Sequence, residues 1–195
     1  GPVILHANQK ALADGSTVER CCETAAELAR RHPIPFVFMS YTNIAYKHGF
    51  AAFAKDTAAA GLRGAIVPDL PFEEGEELLG AMDEQGLDPI FIFSPSTSDE
   101  RMRAIAERAR GFVYCVARKG VTGMDTDFSR QLDEYLTRCR SATALPLALG
   151  FGVKSAEDID FLTGKAEIAV IGTATIRLVE DHGVDAVAGY ISNLR

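Results

Sequence analysis

Six short stretches of this chain are apolar on both faces, and that limits the fold more than any other feature. They lie at 35–41, 64–69, 89–93, 111–117, 145–151 and 167–172, and read FVFMSY, AIVPD, IFIF, FVYCVA, LALGF and IAVIG at their centres. A strand solvated on one side alternates polar and apolar residues. One covered on both sides, as in a parallel sheet with helices outside, does not.

Longer amphipathic segments separate the six runs. Pro2 opens a first helix that presents Val3, Ile4, Ala7, Ala11 and Leu12 on one face and ends at Gly15. Ser16-Thr17-Val18-Glu19 reads as a capping box for a helix to about Arg31. Helical patterns follow at 50–60, 73–85, 98–109, 129–140, 155–162, 173–181 and 184–194, with Ser129 and Ser155 as N-caps. Linkers, low-complexity tracts and repeats beyond the βα unit do not interrupt the pattern.

Six βα units preceded by two helices fit a doubly wound sheet poorly, because there the first strand leads into a glycine-rich phosphate turn. A (β/α)8 barrel of about 250 residues fits better. The expectation is an α/β chain of 195 residues, a single (β/α)8 TIM barrel domain over 1–195. It is N-terminally incomplete, with six parallel strands present and the first two missing.

Composition narrows the function. Twenty Lys and Arg against 27 Asp and Glu give a net charge of −7, which argues against a nucleic-acid surface. Cys21, Cys22, Cys115 and Cys139 lack metal-ligand spacing and read as reduced thiols. His6, His32, His48 and His182 are scattered, so no metal is expected. Neither a signal peptide nor a membrane-spanning run is present, and the reading is a cytoplasmic protein without membrane contact.

In a barrel, chemistry gathers at the C-terminal ends of the strands, and phosphate commonly sits on the last two turns. Those turns are Gly150-Phe151-Gly152 and Gly172-Thr173-Ala174, each leading into a helix. Glycine lets main-chain amides approach an anion, and a helix start adds positive potential. They are a phosphate corner or ordinary turns needing glycine. The run Arg118-Lys119-Gly120-Val121-Thr122-Gly123 is a ligand-covering flap or a long surface loop. Tyr114 points its hydroxyl inward or holds a structural hydrogen bond. Asp69 is the best-placed acid, although Pro68 and Pro71 favour a rigid turn in which it bonds nearby amides. Glu73, Glu74, Glu76 and Glu77 read as a solvated helix face.

Several of these runs together resemble the tryptophan synthase alpha chain family. They are Tyr41-Thr42-Asn43, Pro68-Asp69-Leu70-Pro71-Phe72-Glu73-Glu74, and Pro89-Ile90-Phe91-Ile92 with Ser94-Pro95-Ser96. Gly111-Phe112-Val113-Tyr114 running into Arg118–Gly123, Gly150-Phe151-Gly152-Val153 and Ile171-Gly172-Thr173-Ala174 complete the set, in order along the whole chain. The resemblance implies a barrel lyase of tryptophan biosynthesis that cleaves indole-3-glycerol phosphate to indole and glyceraldehyde 3-phosphate by a retro-aldol step. It implies a heterotetrameric alpha2-beta2 complex with a beta chain. Pyridoxal phosphate belongs to that partner, and no cofactor to this chain.

Carried over by motif, Gly123, Gly152, Gly172 and Thr173 hold the phosphate, the last often Ser in the family. Phe151 lines the pocket, and Tyr114 lies on the indole side. Arg118, Lys119 and Gly120 belong to the flap, and Thr122 orients a catalytic Asp. Tyr41, Asn43, Asp69 and Pro71 form the rim facing the beta chain. The family's general acid–base pair is a Glu ending the second strand and an Asp before Gly-Pro. Gly1-Pro2 matches that dipeptide, so neither carboxylate falls in this sequence, and this chain alone is expected to be poorly active or inactive. A non-catalytic paralogue binding a phosphosugar or an indole is the alternative. Another phosphosugar barrel fits less well, because no strand carries a Schiff-base Lys.

Overall fold

The computed structural model describes residues 2–117 and 125–194, with backbone alone over 125–129. Along the chain run α1 (Pro2–Ala13), α2 (Val18–Arg31), β1 (Val37–Met39), α3 (Thr42–His48), α4 (Phe50–Ala59) and β2 (Gly64–Ile66). A 3-10 turn (Phe72–Glu74) precedes α5 (Glu76–Glu84), β3 (Asp88–Ile90), β4 (Ile92–Phe93), α6 (Asp99–Arg108) and β5 (Val113–Val116). Then come α7 (Asp125–Ala142), β6 (Leu147–Gly150), α8 (Ala156–Leu162), β7 (Ile168–Ala169), α9 (Thr173–His182) and α10 (Ala186–Ser192). The chain divides into two compact units.

One unit comprises Ser16–Ile92 and Glu100–Val113. Its sheet is β1-β2-β3, parallel throughout, with Val37 opposite Gly64 and Gly64 opposite Asp88. α4 and α5 cover it, and Phe50, Phe53, Ala54, Leu78, Met82 and Leu87 form the core with Ala65. Thr57 is fully buried among them, and its hydroxyl donates to the Phe53 carbonyl at 2.6 Å. The N-cap of α2 is Thr17, one residue past the expected start, with its Oγ1 accepting from the Arg20 N–H at 3.3 Å. The expected helix at 73–85 is interrupted at Gly75. Its acidic face is partly paired, with Glu73 on Arg101 and Glu76 on Arg108.

The other unit comprises Gly1–Gly15, Phe93–Asp99 and Tyr114–Arg195. Its sheet runs β4-β5-β6-β7, and β6 and β7 are parallel, with Ala148 opposite Ile168 and Leu149 opposite Ala169. Phe93, Leu147, Ala148 and Leu149 are fully buried. α7 begins four residues before the expected Ser129 cap, so that serine lies inside the helix. The Arg138 guanidinium donates to Asp99 Oδ1 at 2.6 Å, to the Pro95 carbonyl at 3.1 Å and to the Thr97 carbonyl at 2.5 Å.

All six expected strand runs contain strands, but the third contains two. β3 ends at Ile90 and β4 starts at Ile92, in different sheets. Phe91 lies between them and packs its ring edge-on against Phe72, with centroids 5.7 Å apart. The described residues therefore hold seven strands where six were expected.

Candidate functional site

The last two turns carry the geometry of interest. Leu149 and Ala169 face each other in register, and Gly152 and Gly172 each follow by three residues. The two glycines thus stand at the same sequence offset from a registered pair. Both are exposed, and a Cβ built on either would meet nothing within 4 Å. Gly152 has φ +95°, a backbone conformation that favours glycine. Phe151, between Gly150 and Gly152, is buried and packs against Phe161, with centroids 5.9 Å apart.

The two helices that follow begin differently. Ser155 and Asp158 close α8 with a capping box. Asp158 Oδ2 accepts from the Lys154 N–H at 3.0 Å and the Ser155 N–H at 3.2 Å. The two amides leading into α8, those of Lys154 and Ser155, therefore already have an anionic partner. α9 has Gly172 as its N-cap, without a side-chain cap, and Thr173 as its exposed first residue. Its Thr175 amide already donates to the Gly172 carbonyl at 3.0 Å, so the first-turn amides left for an outside anion, with the positive end of a ten-residue helix behind them, are those of Thr173 and Ala174.

Tyr114 belongs to the same corner. Burial alternates along β5, so Val113 and Cys115 share one face and Tyr114 and Val116 the other. Its ring lies over Gly150, where an added Cβ would come within 2.6 Å of the phenolic oxygen. Burial pushes the Tyr114 phenol above its ordinary pKa. On the opposite face, a hydrogen bond with Cys139 and burial push the Cys115 thiol up strongly. Both cysteines are fully buried free thiols. Arg118, Lys119, Gly120, Thr122 and Gly123 lie outside the described residues.

In the first unit, Asp69 Oδ1 accepts from the Thr42 N–H at 2.8 Å and from Thr42 Oγ1 at 3.0 Å. Its partner is 27 residues away and not in its own turn. The bond brings the β2 turn against the start of α3, where Tyr41 is the N-cap and Asn43 lies in the first turn. Pro71 follows two residues on and caps the 3-10 turn. Helix α3 was not expected, although Lys47 and His48 in its last turn and Gly49 behind them are ordinary stop signals. Asp158 was also missed, although Ser-x-x-Asp before an apolar pattern is a capping-box signature.

Among the described residues, no group of three or more His, Cys, Asp or Glu could hold a metal, and no helix is long and apolar enough to cross a membrane.

Parallel strands alternating with helices, and functional turns at the strand ends, define the (β/α)8 barrel class. The relatives narrow it further. The tryptophan synthase alpha chain family model matches residues 1–192. The alpha chain of Syntrophotalea carbinolica is 55% identical over 195 residues, and that of Desulforapulum autotrophicum 57% over 194. Each match covers 100% of this chain and 77% of the relative. A structure of Mycobacterium tuberculosis tryptophan synthase aligns with all of this chain and 74% of its own, with TM-score 0.90 and 32% identity. A tryptophan synthase complex from Pyrococcus furiosus aligns with all of this chain and 79% of its own, with TM-score 0.89 and 26% identity. The chain belongs to the tryptophan synthase alpha chain family, a family of lyases.

Proposed function

We propose that this chain binds indole-3-glycerol phosphate and serves its retro-aldol cleavage to indole and glyceraldehyde 3-phosphate in tryptophan biosynthesis. Its phosphate rests on the amides of Gly152, Gly172 and Thr173, with the Thr173 hydroxyl as a further donor, and Gly123 completes the site. The observation that carries this reading is the equal offset of Gly152 and Gly172 past a registered residue pair, beside the open start of α9. Phe151 lines the pocket, and Tyr114 borders the indole. Arg118, Lys119, Gly120 and Thr122 serve as the family's ligand-covering loop. Residues 1–195 act as one barrel domain in the cytoplasm. Tyr41, Asn43, Asp69 and Pro71 face a beta chain, which alone carries pyridoxal phosphate.

Cleavage needs one proton removed and another delivered to indole C3, and each positioned acid or base contributes about 10²–10⁴-fold. Asp69, the acid best placed by sequence, is hydrogen-bonded to Thr42. The 195-residue polypeptide by itself is therefore proposed to be a weak catalyst that keeps its phosphate corner. Indole release from indole-3-glycerol phosphate, followed alongside glycerol 3-phosphate binding by calorimetry, tests both halves. Turnover matching a full-length alpha chain would reject the first, and absent binding would reject the second.

A further inference from the structure

Gly152 is useful to a phosphate only if its amide keeps one direction, and the turn beyond it is gripped at an unusual point. Lys154, two residues on, has both of its peptide groups held. Its N–H donates to Asp158 Oδ2 at 3.0 Å, and its carbonyl accepts from the Tyr190 hydroxyl at 3.2 Å. Asp158 is only 8% exposed, and the same oxygen also takes the Ser155 N–H at 3.2 Å. Tyr190 comes from α10, 36 residues further along, so the C-terminal helix reaches back to this turn. The Tyr190 phenol is pushed up, first by burial and then by the charge of Asp158, which agrees with the two side chains sharing one neighbourhood.

We infer that Asp158 and Tyr190 are positioning residues for the anion corner. Neither touches the ligand. Together they fix the peptide of Lys154, and through one intervening residue the direction of the Gly152 amide. The inference rests on the phosphate reading above. Asp158 places a negative charge near a site for an anion, which by itself weakens binding. Its presence there is explained by the amides it holds.

The test measures glycerol 3-phosphate affinity by calorimetry and the thermal midpoint, on the full 195-residue chain and its variants. Tyr190→Phe removes one hydroxyl and is expected to weaken binding about threefold with little change in midpoint. Asp158→Ala is expected to cost about tenfold or more, and Asp158→Asn, which keeps an acceptor oxygen, to restore part of that. Should Asp158→Ala fail to fold, Tyr190→Phe and Asp158→Asn decide. Unchanged affinity in both overturns the inference, as does tighter binding by Asp158→Asn, which would make the carboxylate a mere repulsion. Affinity that falls only in step with the midpoint also overturns it. Gly172→Asp separates the two readings. If the unsubstituted chain binds and Gly172→Asp does not, the corner stands and the positioning claim is judged alone. If the unsubstituted chain does not bind, both fall.

Discussion

Two helices start just beyond neighbouring strands in the same sheet, yet they meet the solvent in opposite ways. α8 is closed by its own Ser155 and Asp158, and α9 begins at bare Gly172. A carboxylate three residues into a helix takes the amides that lead into it, here those of Lys154 and Ser155, from within. A glycine leaves them for something else. Neighbouring turns with similar glycine content therefore divide the work: the β7 turn offers the helix start, and the β6 turn offers one amide on a braced loop.

The most severe way to break this contrast is to make α9 resemble α8. Gly172→Asp puts a capping carboxylate where the anion is proposed to sit. Like charges in contact cost several kcal/mol, so glycerol 3-phosphate affinity should drop by about 100-fold or more. A Cβ at Gly172 meets nothing within 4 Å, so the chain should still fold and melt cooperatively. Calorimetry and thermal melts on the same sample check both statements.

Next in size is Gly150→Ala, which drives a methyl group into the Tyr114 ring. Overpacking of this kind costs about 1–3 kcal/mol. Unfolding in denaturant should register that loss, and Tyr114→Ala in the same chain should recover a part. A double-mutant cycle reads their coupling, and simple additivity would deny the contact.

Asp69→Ala examines a third helix start, that of α3, whose cap comes from a distant turn. Losing it should destabilise the protein by about 1 kcal/mol and leave anion affinity unchanged. Denaturant melts and calorimetry separate the two effects.

The smallest effect concerns Glu167, whose carboxyl is held below its ordinary pKa by Arg140 and then by the Leu147 N–H. A carboxylate depressed in the folded state stabilises above its unfolded pKa and loses that contribution as pH falls through the folded value. Glu167 is about half exposed, so the contribution stays under about 1 kcal/mol. Glu167→Gln should melt slightly earlier than the parent at neutral pH, and the gap should close in acid.

What could be read beforehand followed hydrophobic burial closely. Every strand run was legible because it is apolar on both faces, although Met39 of β1 and Ile168 of β7 are exposed in the structure. The break at Phe91 was not, since 89–93 is apolar throughout and periodicity cannot tell one strand from two. Helix α3 escaped notice because it is only seven residues long and its one buried residue is Ala45. At the candidate site, the glycines after β6 and β7 were legible as turns that lead into helices. The closed state of α8 required Asp158 to be weighed as a competitor for the same amides, and an N-cap reading of Ser155 alone does not do that. The Asp69–Thr42 bond links residues 27 apart, which no local pattern encodes.

The Arg138 fork has one consequence of a different kind. Two of its three acceptors are main-chain carbonyls, which never titrate. The seam between residues 95–99 and Arg138 should therefore outlast acidification that unfastens Glu167 from Arg140, so that the end of α7 loosens from its last turn while the turn before it still holds.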